Sequence, residues 1–245
     1  MTMSATPPGK VICAGLGPGD PELMSVKSWR AIQDARHVAY FRKEGRKGQA
    51  RTLVDGMLPE GVTEHAMEYP VTTEIPFADP EYNRILAEFY DRWAATLAEI
   101  AKTEDVVVLC EGDPFFYGSY MHLYTRLQGR AKQEIIPGIT GMSGCWTASG
   151  APITWGDDVL TVAMATLSED ELTRRISETD ALVVMKIGRN LPKLRRALER
   201  ADKLQEAWLV ERGTMPSQTV QKLTEIEGEV PYFSIVLVHG QGRRP

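Results

Sequence analysis

Long apolar runs are absent from this sequence of 245 residues. No uninterrupted apolar segment approaches the roughly 18 residues that a membrane-spanning helix requires. The opening segment MTMSATPPGK also lacks the apolar middle of a secretory signal peptide. We therefore expect a cytoplasmic protein without a membrane partner.

Patterns typical of metal sites and disulfide frameworks are missing as well. The sequence has three cysteines and four histidines, all widely spaced, with no C-x-x-C or H-x-x-x-H pair. A metal site would have to assemble from residues far apart in the chain. We expect no metal site and a fold that does not depend on disulfides.

Positive charge is not in excess. The chain has 28 Lys and Arg against 33 Asp and Glu, which gives a net charge of -5. Proteins that bind nucleic acid draw much of their affinity from counterions displaced by Lys and Arg. The composition therefore argues against nucleic acid as a partner.

What the sequence does contain is an alternation of apolar runs and helical periodicities. The predicted strands are KVICAG, HVAYF, DVVVLCEG and QEIIPG, followed by VLTVAMAT, ALVVMKIG, AWLVERG and YFSIVLVHG. Helices are predicted from Leu23, where Leu23, Val26, Trp29 and Ile32 have helical spacing, and over about residues 80–102 and 191–201. Ser168 and Glu171 form a capping box for another helix.

This alternation predicts an α/β fold with two domains. The unbroken apolar run in DVVVLC is typical of a parallel strand that is covered on both faces. Gly, Pro, Ser and Thr cluster near residues 136–150. We expect an N-terminal α/β domain over residues 1–136 and a C-terminal α/β domain over residues 137–245.

Three turns rich in glycine and proline directly follow predicted strands. They are GLGPGDP at residues 15–21, EGDPFFYGS at 111–119 and PGITGMSG at 137–144. In open parallel sheets, ligands bind beyond the carboxyl ends of the strands, where the strand order reverses. We therefore expect the three turns to surround one site.

The turns lack the features of a phosphate site. The first departs from G-x-G-x-x-G because Asp20 stands where the third glycine is due. Pro18 has no N–H to donate, and the second turn carries Glu111 and Asp113. None of the three contains lysine. This pattern favours a cationic ligand without phosphate, and S-adenosylmethionine meets that description.

The two Asp-Pro pairs have a second interpretation. Asp20 before Pro21 and Asp113 before Pro114 are also typical of helix starts, with Asp as the N-cap and Pro at the first helical position. A capping role is compatible with shaping a binding site. Both interpretations stay open at this point.

In order and spacing, the segments GLGPGDPELMS, EGDPFFYGS and PGITG resemble the signature segments of the tetrapyrrole methylases. The resemblance extends over essentially the whole chain. GDPFFYGSYMHLYTRL and PGITGMSGCWTASGAPITWGDDVL are similar to segments of one subfamily, the precorrin-2 C20-methyltransferases of cobalamin biosynthesis. The resemblance implies two α/β domains of the tetrapyrrole methylase fold, a homodimer, and S-adenosylmethionine in the cleft between the domains.

The resemblance also implies a reaction and a set of site residues. The reaction methylates precorrin-2 at C20 and gives precorrin-3A and S-adenosylhomocysteine. Matched motif by motif, the residues implied to bind the cofactor are Pro18, Glu111, Gly112, Asp113, Phe116, Thr140, Gly141, Met185 and Gly213. Met185 is equally typical of an apolar core, and Gly213 of a turn after a strand.

One departure from the family pattern bears on the substrate. Uroporphyrinogen methylases of the family carry a Tyr-Asp pair after the second strand, whereas here Tyr40 is followed by Phe41. That difference argues against uroporphyrinogen as the substrate. No residue stands out as catalytic. Tyr117, Tyr120 and His122 are candidates for the base that removes the C20 proton, and a helix-packing role is equally open for the two tyrosines.

A basic segment follows the second predicted strand. FRKEGRKGQAR, residues 41–51, holds five cations against the single acid Glu44. Because the substrate implied by the resemblance is a polycarboxylate, we expect Arg42, Lys43 and Arg46 to bind it. The other interpretation is a solvated surface segment.

Other functions stay open at the level of sequence. Within the family, the alternative is another methylase of the pathway, such as the cobalt-factor II C20-methyltransferase. A nicotinamide-dependent oxidoreductase would need the phosphate-binding loop that the turns lack. A carrier of tetrapyrroles without catalysis would bind the pigment and show no affinity for S-adenosylhomocysteine.

Overall fold

The computed structural model describes residues 8–71, 79–231 and 233–243, and the chain divides into two compact units, Met1–Thr140 and Gly141–Pro245. Most of the opening segment that we compared with a signal peptide lies outside the described residues. Within the described ranges, no helix combines the length and the apolar character needed to cross a membrane.

The first unit is built on a parallel sheet of five strands in the order β3-β2-β4-β1-β5. Its elements in chain order are β1 (Lys10–Gly15), α1 (Val26–Gln33), β2 (His37–Lys43), α2 (Gln49–Leu53), β3 (Thr63–Tyr69), α3 (Pro80–Ile100), β4 (Val106–Cys110), α4 (Tyr120–Leu127) and β5 (Lys132–Ile136). All five residues of β4 are buried, as its apolar run predicts.

Two apolar layers cover the sheet, because successive strand residues point to opposite faces. Val11 and Cys13 of β1 belong to the layer that holds the buried residues of α3 and α4. Ile12 and Ala14 belong to the layer that holds those of α1 and α2. The chain therefore leaves the neighbouring strands β1 and β4 toward opposite faces. That arrangement is a topological switch point, where ligands bind in such sheets.

The predicted apolar stripe of the first helix is wrong in detail. Of its four positions, Ile32 is fully buried, whereas Val26 is 62% exposed. The segment Pro21–Leu23 forms a separate 3-10 helix, and α1 begins after the N-cap Ser25, whose Oγ accepts from the N–H of Ser28 at 3.1 Å. The buried stripe of α1 runs through Ser28 and Ile32 instead.

The second unit contains a mixed five-stranded sheet in the order β6-β7-β10-β8-β9. Its elements are α5 (Gly141–Ala148), β6 (Leu160–Met164), α6 (Glu169–Ser177), β7 (Ala181–Met185), α7 (Leu191–Arg200), β8 (Trp208–Glu211), β9 (Thr219–Lys222) and β10 (Ser234–Val238). Strands β6 and β7 are parallel, and β10 runs antiparallel to both β7 and β8. The carboxyl ends of β6, β7 and β8 thus share one edge.

The α/β class is confirmed, and the predicted strands are present. The Ser168 hydroxyl accepts from the N–H of Glu171 at 3.3 Å, as the capping box predicts. The sequence prediction missed β3, β9, α2 and α5. Helix α5 lies in the segment rich in Gly, Pro, Ser and Thr near which we expect the two domains to meet. A domain boundary after Ile136 stays a prediction.

A histidine pair at the amino edge of the first sheet makes stability depend on pH. His37 Nδ1 lies 3.0 Å from His65 Nε2, and His37 Nε2 lies 2.9 Å from a carboxylate oxygen of Glu104. Burial and the neighbouring His37 lower the pKa of His65. Below a pH of about 6.5, the unfolded chain therefore binds a proton at His65 more readily than the folded chain does.

We expect the melting temperature to fall as the pH is lowered from 7 to 5.5. In His65→Gln the dependence on pH is expected to be shallower, because one group with a lowered folded-state pKa has been removed. Thermal melts at half-unit pH steps measure both slopes. Equal slopes in the two proteins would contradict the assignment to His65.

Candidate functional site

The three glycine turns meet at the carboxyl edge of the first sheet. They follow β4, β1 and β5, which are neighbours in the sheet. Gly17 and Gly112 form an antiparallel bridge, in which the N–H of Gly112 donates to the Gly17 carbonyl at 2.8 Å. The N–H of Leu16 donates to the Cys110 carbonyl at 2.9 Å. The first two turns thus extend the hydrogen bonding of β1 and β4 beyond the strands.

Asp113 joins the second turn to the third. Its Oδ1 accepts from the N–H of Phe115 at 2.9 Å, and its Oδ2 accepts from the N–H of Gly138 at 3.0 Å. No helix starts at Pro114, because α4 begins only at Tyr120. The interpretation of Asp113 as a helix cap is therefore wrong. Its carboxylate instead joins the second turn to the third.

Asp20 has the capping role. Its Oδ1 accepts from the N–H of Glu22 at 2.9 Å and caps the 3-10 helix that begins at Pro21. The first turn is also fixed from α1, where the buried Ser28 hydroxyl donates to the Gly15 carbonyl at 2.8 Å. Both ends of the turn are thereby positioned by neighbouring helices.

Glycine is required where the backbones of the three turns approach each other. A Cβ atom at Gly15 would lie 2.6 Å from the backbone nitrogen of Gly138. A Cβ atom at Gly138 would lie 2.0 Å from the carbonyl oxygen of Gly112. Real Cβ atoms do not approach backbone atoms so closely, so these glycines allow three chain segments to converge.

Glu111 lies at the same edge, at the end of β4. Its Oε1 accepts from the backbone N–H of Ala50 in α2 at 3.0 Å. The residue is exposed, yet protein atoms crowd its carboxylate and displace water, which raises the pKa of this group. Among the carboxyl groups in the described part of the chain with a resolved shift, Glu111 alone has a raised pKa.

The remaining candidates of the first unit line the same turns. Pro18 and Phe116 are half-buried, and the Phe116 ring lies edge-on to Tyr117 with centroids 4.9 Å apart. Tyr117 has a φ of 55°, a conformation that residues other than glycine rarely adopt. Thr140 is half-buried and lies in the third turn.

The second unit holds Gly141, Met185 and Gly213. Gly141 begins α5, and Met185 ends β7, where it packs partly against the core around Cys145. A Cβ atom at Gly213 would lie 3.0 Å from the backbone nitrogen of Cys145 and 2.8 Å from its Sγ. The structure therefore supports a packing role for both Met185 and Gly213.

Strained turns lie beside these two residues. Lys186, directly after β7, has a φ of 56°, and Arg212 and Thr214, on either side of Gly213, have φ values of 48° and 70°. Positive φ values at residues other than glycine cost free energy and cluster at functional sites. The carboxyl edge of the second sheet thus shares this feature with the turn at Tyr117.

The basic segment is less positive than its sequence indicates. Arg42 Nε donates to Glu68 Oε2 at 2.8 Å, and Arg51 Nε donates to Glu64 Oε2 at 2.6 Å. Lys47 Nζ lies 2.5 Å from Asp55 Oδ2. Glu64 and Glu68 belong to β3, the strand that we missed, so these ion pairs could not be predicted from the sequence.

Of the three candidate bases, Tyr120 is wrong. Its side chain is fully buried, and its hydroxyl donates to Gln133 Oε1 at 2.8 Å, so it belongs to the core. Tyr117 is exposed at the second turn, and the exposed His122 ring contacts that of Tyr90 at a tilt of 30°, with ring centroids 4.7 Å apart.

The chemistry of the edge fits a cation without phosphate. The three turns present backbone groups and the carboxylate of Glu111, and residues 15–21, 111–119 and 137–144 include no Lys or Arg. Elsewhere in the described ranges, no group of three or more His, Cys, Asp or Glu residues is arranged to hold a metal ion. The donor set is thus suited to the sulfonium and ammonium groups and the ribose hydroxyls of S-adenosylmethionine.

Known proteins resemble this chain over most of its length. The family model for the Tetrapyrrole (Corrin/Porphyrin) Methylases matches residues 10–227. A precorrin-2 C(20)-methyltransferase from Sinorhizobium sp is 50% identical over 245 residues, covering 99% of this chain and 100% of that protein. The cobalamin biosynthesis protein CobIJ from Mycobacterium tuberculosis H37Rv is 41% identical over 94% of this chain and 46% of its own length.

A solved structure shows the same fold. The uroporphyrin-III C-methyl transferase from Thermus thermophilus, complexed with S-adenyl homocysteine, has a TM-score of 0.65 and 21% sequence identity. The match covers 94% of this chain and 97% of that protein. The expected two-sheet α/β architecture is thereby confirmed as that of known methyltransferases.

Proposed function

This chain belongs to the tetrapyrrole (corrin/porphyrin) methylase family, and on that premise we propose that it methylates precorrin-2 at C20 to give precorrin-3A in cobalamin biosynthesis. The enzyme is a C-methyltransferase that uses S-adenosylmethionine and releases S-adenosylhomocysteine. The observation that carries the choice of substrate is the 50% identity to a precorrin-2 C(20)-methyltransferase, which extends over the full length of both chains.

The three converging turns support the choice of methyl donor. S-adenosylmethionine, when bound, supplies a methyl group on a positively charged sulfur. We assign its binding in the first unit to Pro18, Glu111, Gly112, Asp113, Phe116 and Thr140, and in the second unit to Gly141, Met185 and Gly213. Asp113 acts through the turns, because backbone N–H groups occupy both of its carboxylate oxygens.

The main contribution of the chain to catalysis is alignment. C20 is an electron-rich, enamine-like carbon, so it attacks the methyl group directly and the enzyme needs no covalent nucleophile. Holding two reactants in line contributes on the order of 7 to 11 kcal/mol. Turns that are joined by backbone bridges and by Asp113 provide the rigidity that such alignment requires.

The basic segment at the end of β2 supports recognition of a polycarboxylate. It lies at the carboxyl edge of the first sheet, as do the glycine turns. We propose that Arg42, Lys43 and Arg46 bind substrate carboxylates. Arg46 is exposed, and no described residue forms an ion pair with its side chain. Arg42, by contrast, forms an ion pair with Glu68.

Replacing Arg42, Lys43 and Arg46 with Ala is expected to raise the KM for precorrin-2 about tenfold, since each exposed charge pair contributes up to about 1 kcal/mol. The Kd for S-adenosylhomocysteine is expected to stay unchanged. Steady-state kinetics and calorimetry measure the two constants. Lys102→Ala, which removes an exposed lysine that follows α3, is the control for net charge. An unchanged KM in the triple variant would remove the segment from the substrate site.

The position of methylation is tested with labelled cofactor. Purified enzyme is incubated anaerobically with precorrin-2 and S-adenosylmethionine carrying a ¹³C methyl group. Mass spectrometry should show one added methyl group, and carbon NMR should place it on C20. A parallel reaction with cobalt-precorrin-2 distinguishes the metal-free substrate from the cobalt-containing one. Pigment binding without methyl transfer would indicate a carrier instead.

Assembly, location and domain division are also part of the proposal. We propose a homodimer in the cytoplasm, with domains over residues 1–136 and 137–245. Three free, buried cysteines agree with a reducing compartment. The exposed Val26 and Trp29 on α1 provide apolar surface of the kind that subunits bury. Light scattering after gel filtration measures the oligomeric state.

A further inference from the structure

Glu111 lies between the glycine turns and the end of the basic segment. The residue that follows it, Gly112, bridges to Gly17 in the first turn. On its other side, Glu111 Oε1 accepts from Ala50, which is one residue before the last cation of the segment, Arg51. The carboxylate thus lies between the glycine turns and α2, the helix at the end of the basic segment.

One oxygen of this carboxylate remains available. Oε1 is held by the Ala50 N–H at 3.0 Å, and Oε2 accepts no hydrogen bond from any residue that the structure describes. The hydrogen bond to Ala50 fixes the direction of the side chain, which is exposed at the edge of the sheet. Only one of its two carboxylate oxygens has a hydrogen-bond partner among the described residues. By contrast, both oxygens of Asp113 are occupied, and Asp20 caps a helix.

Two tyrosines near the edge are less suited to accept a proton. Tyr120 is in the core, and the half-buried Tyr69 already donates its hydroxyl to Ser119 Oγ. Burial raises the pKa of Tyr69, so it stays protonated at neutral pH. Glu111 is ionised more readily than either tyrosine, and crowding makes it a stronger base than an ordinary glutamate.

We infer that the free Oε2 of Glu111 accepts the proton that C20 loses after methylation, an inference that rests on the proposed function. In the first step, an electron pair of the C20 enamine system forms the new carbon–carbon bond, and the carbon–sulfur bond breaks with its pair left on sulfur. In the second step, the C20–H bond breaks, its pair restores the conjugated system, and the proton passes to the carboxylate and then to water.

Glu111→Gln tests this role, because the amide keeps an oxygen for the Ala50 N–H and removes the base. We expect kcat to fall about 100-fold or more, the magnitude typical of a lost general base. The KM for precorrin-2 is expected to stay within about twofold, and the Kd for S-adenosylhomocysteine to change far less than kcat, since the amide oxygen still accepts from the Ala50 N–H and the turns keep their fold. Glu178→Gln, at an exposed carboxylate beside Arg174, is the control.

An isotope experiment separates this role from a positional one. With precorrin-2 deuterated at C20, we expect Glu111→Gln to show a primary isotope effect on product formation. In a single turnover, S-adenosylhomocysteine should appear before the product chromophore. Glu111→Asp should recover part of the rate. The inference would be overturned if Glu111→Gln showed no isotope effect. It would also be overturned if weaker binding of S-adenosylhomocysteine accounted for the fall in kcat.

The pH profile gives an independent readout. In the wild type, kcat should fall with acid as Glu111 is protonated, at a pH above the ordinary glutamate value of about 4.3, and Glu111→Gln should lack this limb. Tyr69 on β3 interacts electrostatically with Glu111, and Arg51 on α2, next to Ala50, is engaged by Glu64. Absence of methyl transfer by the wild type would refute the proposed function, whereas an active wild type and an equally active Glu111→Gln would refute this inference alone.

Discussion

Gly138→Ala is expected to weaken S-adenosylhomocysteine binding by about 100-fold or more and to lower the free energy of unfolding by about 3 kcal/mol. The new Cβ atom would lie 2.0 Å from the Gly112 carbonyl oxygen and 3.0 Å from the Gly15 carbonyl carbon. Both are backbone atoms, so neither can move aside without shifting a turn. Calorimetry and urea unfolding measure the two effects.

Gly141→Ala is the matched control for folding. It changes a glycine of the same PGITG segment, but a Cβ atom there meets nothing within 4 Å. Gly141 begins α5, where alanine favours the helix. We expect the stability of Gly141→Ala to equal or exceed that of the wild type. If Gly138→Ala were as stable as Gly141→Ala, the three turns would not be packed as described.

Asp113→Asn is expected to reduce S-adenosylhomocysteine affinity by about 100-fold. The carboxylate accepts from Phe115 at 2.9 Å and from Gly138 at 3.0 Å, and asparagine keeps an acceptor for one of them. Its amide group would face the other backbone N–H, which loses a charge-assisted hydrogen bond. Such a loss costs about 1.5 to 3 kcal/mol, and an unsatisfied N–H adds about 1 to 3 kcal/mol. Calorimetry measures the affinity.

Asp158→Asn is the control for this prediction. Asp158, in the second unit, accepts from two backbone N–H groups through a single oxygen, Oδ2: those of Trp155 at 2.8 Å and Gly242 at 3.3 Å. Asp158→Asn removes the charge of this carboxylate and should lower the melting temperature. The S-adenosylhomocysteine affinity of this variant should stay close to the wild-type value. Equal affinities in Asp113→Asn and the wild type would show that the bond to Gly138 does not shape the binding site.

The sequence predicted the strands that carry the turns because their apolar runs are nearly unbroken. It also predicted that three turns would share one edge, which follows from parallel strands alone. The family resemblance is confirmed by the match over residues 10–227. The assignment of individual cofactor and substrate residues stays a prediction.

Other features were beyond the sequence because they depend on pairing across long separations. Strand β3 begins with exposed polar residues, so the TEHAMEY segment lacks an apolar signal. Without β3, the ion pairs that Glu64 and Glu68 make with the basic segment could not be foreseen. Likewise, the contact of Glu111 with Ala50 joins residues 61 positions apart.

The bridge between Gly17 and Gly112 has a consequence for how ligands compete. Since these turns are ordered when the chain folds, little conformational entropy remains to be lost when a ligand arrives. Methyl donor and demethylated product then meet the same rigid surface and differ chiefly in one positive charge. We expect strong product inhibition, relieved mainly because the Glu111 carboxylate attracts the charged donor more strongly than the product, which lacks that charge.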